Sequence, residues 1–247
     1  MGIEKEFLKM GLQMLMQSIM QGEQAPVGEQ LPDSNLSGKD AALADVKRKE
    51  GSIAVMLGTR DTGKTELSRR YAQFLGRPTY AVSPEQRTPS WITRVAATAD
   101  ITVDSGMTID DVPPMSTLIF DDLPAYASNR DYNDALVRSM ERLMPMVRHE
   151  RKLHLVFCSQ SAAQADKYIL DCDIAFFKPL GLLADDLERP NVKKVYKEFV
   201  NPHFDSKPHE WVIKHTYMMH REWRGLITVS KSDGEGVPIE GQVREVV

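Results

Sequence analysis

The sequence of 247 residues has few cysteines, no long apolar run and no strong excess of charge of either sign. Its two cysteines, Cys158 and Cys172, cannot form a disulfide framework, and a zinc site needs about four cysteine or histidine ligands at tight spacing. No run approaches the ~18 consecutive apolar residues of a membrane span, so we expect a chain that does not cross a bilayer. These absences favour a globular protein of a reducing compartment.

The net charge of −4 does not by itself indicate a protein that binds nucleic acid. The charge is unevenly distributed, however, because residues 1–45 and 233–247 are both acidic while residues 46–232 carry a small net positive charge. The composition of the central part therefore does not oppose DNA binding.

The composition along the chain predicts four parts. Residues 1–20 are rich in Met, Leu and Ile and predict an amphipathic helix. That helix either packs on its own domain or docks on another subunit, a viral capsid or a membrane surface. Residues 21–42 are rich in Gln, Gly, Pro and Ser and predict a linker. A globular domain over 43–232 and an acidic tail over 233–247 complete the chain.

Short apolar runs alternate with helical periodicity within the globular domain. Strands are predicted over Ser52–Leu57, Thr79–Ser83, Ile101–Val103, Met115–Phe120, Leu153–Cys158 and Ile174–Lys178, and helices over Gly63–Phe74, Tyr132–Val147, Gln164–Leu170 and Asp185–Phe199. The segment Trp91–Ala99 is predicted as a weak helix or a loop, and Glu210–Val229 as a pair of strands that turn at residues 222–225. This alternation predicts an α/β fold with a mostly parallel sheet covered by helices on both faces.

The segment that follows the first predicted strand matches G-x-x-x-x-G-K-[ST], the Walker A pattern. Its glycines allow a tight turn in which backbone N–H groups point inward, and the next helix directs its positive end at the same place. We expect Lys64 to reach the β- and γ-phosphates of a nucleotide and the Thr65 hydroxyl to bind Mg²⁺. The predicted phosphate-binding residues are Gly58, Thr59, Arg60, Asp61, Thr62, Gly63, Lys64, Thr65 and Glu66.

A second apolar strand ends in the acidic pair Asp121 and Asp122. A Walker B strand needs this pattern, because its carboxylate must emerge at the carboxyl edge of the sheet beside the phosphates. Asp121 is expected to hold Mg²⁺, and Asp122 is expected to orient the attacking water.

A third apolar strand ends in Ser159 and Gln160. A glutamine there can hydrogen-bond both to water and to a γ-phosphate oxygen. The basic segment just before this strand contains Arg148 and Arg151. It is either a solvated helix end, or it contributes an arginine finger to the γ-phosphate in a neighbouring subunit.

The order and spacing of these segments from Ser52 to Pro179 resemble the FtsK/HerA superfamily of ring-forming, DNA-pumping ATPases. By size, the closest branch comprises the genome-packaging ATPases of tailless, membrane-containing viruses. The resemblance implies a P-loop NTPase fold of the RecA/FtsK type, with ATP and Mg²⁺ as cofactors. It also implies a homo-oligomeric ring, expected to be a hexamer, that binds double-stranded DNA without regard to sequence. Such a protein acts in the cytoplasm of an infected cell or in the virion.

The resemblance assigns the sensing glutamine to Gln160 and the arginine finger to Arg148 or Arg151. The chain departs from the family at Asp122, where a glutamate is usual, and Glu85 is the reserve candidate for the catalytic acid. Arg87 and Arg94 are either DNA-contacting pore residues or ordinary surface arginines.

Three other functions remain open from the sequence. The segments around Arg151 and Gln160 also resemble Zot-type phage assembly ATPases, although those carry a membrane span. A small-molecule or nucleotide kinase can be built on the same fold, and so can a nucleotide-binding structural module without turnover.

Overall fold

The computed structural model describes residues 38–83, 88–97, 102–121, 150–160, 171–180 and 190–229. Within these ranges the strands form one eight-stranded sheet with the spatial order β3, β2, β4, β5, β1, β6, β7, β8. The six strands from β3 to β6 in this order run parallel, whereas β7 is antiparallel to β6 and β8 to β7. The strands are β1 Ser52–Leu57, β2 Thr79–Val82, β3 Thr93–Arg94, β4 Thr117–Phe120, β5 His154–Ser159, β6 Ile174–Phe177, β7 His215–His220 and β8 Arg224–Thr228.

Five α-helices lie in the described ranges: α1 Gly38–Arg48, α2 Lys64–Leu75, α3 Pro190–Val195, α4 Asn201–Phe204 and α5 His209–Lys214. A π-helical turn over Tyr196–Val200 joins α3 to α4, and a short 3₁₀ turn covers Ile109–Asp111. Helix α2 is capped by Gly76, which adopts φ 69° and donates its N–H to the Ala72 carbonyl oxygen over 3.1 Å. A glycine suits this left-handed position because it lacks a Cβ atom.

Alternate residues of the central strands enter two separate apolar layers. Ile53 and Val55 of β1 pack in the layer that includes residues of α3 and α4. Ala54 and Met56 point to the other face and pack with residues of α1 and α2. The predicted α/β fold, with a mostly parallel sheet covered on both faces, is therefore confirmed.

Several predicted elements differ from the structure. Strand β3 lies in the segment predicted as a helix or loop, whereas residues 102 and 103 of the predicted strand Ile101–Val103 are not in a strand. Helix α1 includes residues 38–42, the end of the predicted linker. The predicted helices over 132–147 and 164–170 lie outside the described residues.

The C-terminal part needs one further correction. Of the predicted helix Asp185–Phe199, residues 185–189 lie outside the described residues, and the rest forms α3 and the π-helical turn. The segment predicted as two strands begins with helix α5, and the first of the two strands starts only at His215. Among the described residues, no helix has the length and apolar character needed to cross a bilayer.

Candidate functional site

The loop between β1 and α2 has the backbone shape of an anion-binding site. Three of its residues adopt positive φ angles, 152° at Gly58, 59° at Asp61 and 88° at Gly63. Alternation of left-handed and ordinary conformations turns successive N–H groups towards one concave side. Helix α2 begins directly after Gly63, so its positive end faces the same place. We call residues 58–65 the phosphate cradle.

Hydrogen bonds hold the cradle in this shape. The N–H group of Gly58 donates to the Ser159 carbonyl oxygen over 3.3 Å, and that of Thr59 donates to the Pro179 carbonyl oxygen over 3.0 Å. Within the loop, the Thr62 hydroxyl and the Lys64 ammonium both donate to the Thr59 carbonyl oxygen, over 2.8 and 2.5 Å. The two neighbouring strands and the loop itself therefore fix where the cradle begins.

Thr65 and Asp121 are brought together next to the cradle. The Thr65 hydroxyl lies 3.0 Å from Oδ1 and 3.3 Å from Oδ2 of Asp121. Asp121 follows β4 directly and is only 4% exposed, and its N–H group donates to the Val82 carbonyl oxygen over 3.0 Å. A buried carboxylate beside a hydroxyl is an oxygen-rich donor set of the kind that suits Mg²⁺. Ser68, Ser83 and Thr88 help line a small cleft that adjoins this pair.

Strand β5 lies between the cradle strand β1 and the Asp121 strand β4. Leu57 of β1 is paired with Ser159, so Gln160 emerges at the same edge of the sheet, level with the start of the cradle. The sheet thus places Gln160 between the cradle and Asp121, where the sequence predicts a residue that contacts the γ-phosphate.

Other residues of the predicted phosphate site are exposed or make contacts outside the cradle. Arg60 and Asp61 are exposed in the middle of the loop. The Glu66 carboxylate accepts a hydrogen bond of 2.7 Å from the Arg70 guanidinium, one helical turn further along α2. The structure therefore ties Glu66 to the helix. Asp122, Glu85, Arg87 and Arg148 lie outside the described residues.

Arg151 lies just before β5, at the opposite edge of the sheet from the cradle. Its guanidinium donates to the carbonyl oxygens of Asp110 and Val112. This position is remote from the cradle of its own chain, so a catalytic role for Arg151 would have to be in a neighbouring subunit. Arg94 is on the edge strand β3, and its carbonyl oxygen accepts from the Ser105 hydroxyl over 2.5 Å.

The sequence prediction gave no role to Lys178, a residue that contacts the cradle. Lys178 follows β6 directly and is 1% exposed, and its N–H group donates to the Leu57 carbonyl oxygen over 2.7 Å. Burial, and then the positive charge of Lys64, lower the pKa of Lys178 to about 7. A lysine at the end of an otherwise apolar strand was the only signal in the sequence.

Known structures resemble this fold, although no protein-family model and no curated protein matches the chain. The genome packaging NTPase B204 from Sulfolobus turreted icosahedral virus 2, in complex with sulfate, is 12% identical with a TM-score of 0.50. That match covers 78% of this chain and 99% of the other. The DNA-packaging ATPase B204 from Sulfolobus Turreted Icosahedral Virus is 12% identical with a TM-score of 0.45, again over 78% and 99% of the two chains. With the sheet described above, the match at a TM-score of 0.50 shows the α/β P-loop NTPase fold that the sequence predicts.

Proposed function

We propose that this chain is a Mg²⁺-dependent ATPase that drives double-stranded DNA into a viral capsid as part of an oligomeric ring. The observation that carries the proposal is the contact of 3.0 Å between the Thr65 hydroxyl and the Asp121 carboxylate, beside a loop with three positive φ angles. The loop can bind the phosphates of a nucleoside triphosphate, and the hydroxyl and buried carboxylate beside it can bind the Mg²⁺ ion that accompanies them.

The residues of the site divide the chemistry between them. The cradle N–H groups and Lys64 would bind the phosphates, and Lys64 would exchange its contact with the Thr59 carbonyl oxygen for a phosphate oxygen. Thr65 and Asp121 would hold Mg²⁺, which supplies positive charge opposite the phosphate oxygens. Gln160 would contact the γ-phosphate or the attacking water, and Asp122 would orient that water.

The structural neighbour with a TM-score of 0.50 supports the assignment to genome packaging, because it is a viral genome-packaging NTPase and was obtained with bound sulfate. Sulfate has the tetrahedral shape of a phosphate group. In the proposed ring, expected to be a hexamer, Arg148 or Arg151 of one subunit would contact the γ-phosphate held by the next. DNA would be bound through its phosphates without regard to sequence. The predicted helix over residues 1–20 would dock the ring on a capsid or membrane vertex.

The experiment that tests the cradle is ATP hydrolysis by the variant Lys64→Ala. We expect this variant to lose turnover, because the positive charge that reaches the β- and γ-phosphates is removed. Lys47→Ala is the matched control, since Lys47 is an exposed lysine of α1 that lies over the Phe74 ring. Hydrolysis by Lys64→Ala at the rate of the control variant would refute the cradle assignment.

A second experiment separates a DNA pump from the other functions of this fold. ATP hydrolysis by the wild-type protein is measured against added double-stranded DNA and against protein concentration. A ring motor is expected to respond to both, because subunits complete each other's sites. Hydrolysis that responds to neither would refute the pump, and transfer of phosphate to a small acceptor would identify a kinase.

A further inference from the structure

Lys178 is buried at the carboxyl end of β6, with its ammonium group inside the protein. The ammonium donates to the carbonyl oxygens of Val212 over 2.8 Å, of Ile213 over 2.9 Å, and of His215. An ammonium group has three N–H donors, so these contacts use all of them. The three carbonyls belong to the last turn of α5 and to the first residue of β7.

Burial of the Lys178 ammonium group costs free energy unless each of these hydrogen bonds is made. A buried charge is costly without hydrogen-bond partners, and the carbonyls that end a helix have no partner within that helix. The ammonium group therefore gains acceptors and the carbonyl oxygens gain a donor. The position of α5 consequently depends on Lys178. An apolar side chain of the same length would fill the space but leave three carbonyl oxygens without this donor.

Lys178 and α5 contact the two glycines of the cradle from two sides. A Cβ atom added to Gly58 would lie 2.4 Å from the Lys178 Cβ atom, so the lysine occupies the space directly against that glycine. A Cβ atom added to Gly63 would lie 3.2 Å from the Ile213 carbonyl oxygen, which is one of the three that Lys178 holds. The residue after Lys178 accepts the N–H group of Thr59 over 3.0 Å.

We infer that Lys178 is a positioning residue for the phosphate cradle. Its side chain packs against Gly58, and its ammonium holds the end of α5 against Gly63, so one residue supports both turns of the loop. This inference rests on the proposed nucleotide site. It adds that α5 and β7 are part of the support of that site, although α5 begins more than 30 residues after Lys178 and far later in the chain than the cradle.

The test compares the variants Lys178→Met and Lys39→Met. Lys39 is another buried lysine, 2% exposed, which lies on α1 and pairs with Asp40 at 3.3 Å. Binding of inorganic pyrophosphate and of ADP is measured by calorimetry, well below the melting temperature of each variant. We expect Lys178→Met to lose at least about tenfold in affinity for both, while Lys39→Met keeps the wild-type affinities even if it melts earlier.

Conservative variants keep the test decisive. Lys178→Arg retains the charge and is expected to bind pyrophosphate more tightly than Lys178→Met. If Lys178→Met does not fold, Lys178→Gln, which keeps two N–H donors, is expected to lose at least about threefold in affinity.

Each outcome separates the inference from the proposed function. Wild-type affinity in Lys178→Met, or in Lys178→Gln where that variant replaces it, would mean that Lys178 contributes only to stability, and would overturn the inference. An equal loss of affinity in Lys39→Met would overturn it as well. If the wild-type protein binds neither ATP nor pyrophosphate, the cradle assignment itself fails.

Discussion

Replacing Gly58 by alanine is expected to destroy the phosphate site, because the new methyl group has no room. Its carbon would lie 2.4 Å from Cβ and 3.2 Å from Cα of Lys178. Non-bonded carbons are stable at about 3.5–4.0 Å, so β1 and β6 would have to separate or the cradle would have to turn away. Lys178 cannot give way easily, since its N–H group is bonded to Leu57 and its ammonium to three carbonyls.

The expected loss of stability follows from two separate costs. Gly58 adopts φ 152°, a conformation that side-chain-bearing residues rarely adopt and that costs them about 1–3 kcal/mol. Forcing an extra carbon into a packed site costs typically about 1–3 kcal/mol. We therefore expect Gly58→Ala to lower the free energy of unfolding by about 3 kcal/mol, together with a loss of pyrophosphate binding.

Gly76→Ala is the control that separates these costs. Gly76 also adopts a positive φ, 69°, but a Cβ atom there would meet no other atom within 4 Å. We expect this variant to lose about 1 kcal/mol, from the backbone conformation alone, and to bind pyrophosphate as the wild type does. Both variants are measured by urea unfolding and by calorimetric titration at one temperature. Equal losses of stability, or wild-type pyrophosphate affinity in Gly58→Ala, would refute the reasoning.

Two further predictions concern the predicted arginine fingers and the buried histidine His154. Arg148→Ala and Arg151→Ala subunits, each mixed with wild-type subunits, are expected to stop ATP turnover at substoichiometric amounts if either arginine acts in the neighbouring subunit; a decrease in simple proportion to dilution would count against this role. Burial, and then the charge of Arg77, lower the pKa of His154 from 6.5 to about 4, so the unfolded chain binds a proton in this range that the folded chain does not. Stability is therefore expected to fall by up to about 3 kcal/mol as the pH decreases from about 6.5 to about 4, and the fall should be shallower in His154→Asn; equal pH slopes would contradict the assignment.

The central strands and the cradle could be predicted from the sequence because their signals are local. Strand β1 is a continuous apolar run over Ser52–Leu57, and the glycine and lysine positions of the cradle follow it directly. Asp121 could be placed because the carboxyl ends of parallel strands share one edge of the sheet. These residues can be recognised from short segments of sequence, although contacts with distant segments hold the cradle in place.

Strand β3, helix α5 and the role of Lys178 could not be predicted, because each depends on distant contacts. The two residues of β3 are stabilised by pairing with Tyr80 and Ala81, and no apolar run marks them. Helix α5 contains Trp211 and Ile213 at the spacing of a strand, but Pro208 precedes its first residue in an extended conformation and the helix begins there. The acceptors of Lys178 lie on this helix and just after it, so its role cannot be recognised before the helix is placed.

The position of β5 has a mechanical consequence. Its six residues extend over about 20 Å, from a point just after Arg151 to Gln160 beside the cradle. Both of its edges are hydrogen-bonded, to β1 and to β4, and a shift of register by one residue would turn its side chains to the wrong face. We therefore expect β5 to move as a rigid unit together with β1 and β4. A displacement at Gln160 is therefore expected to be passed along β5 to the edge of the sheet that carries Arg151, which links the cradle edge to that surface through a single strand.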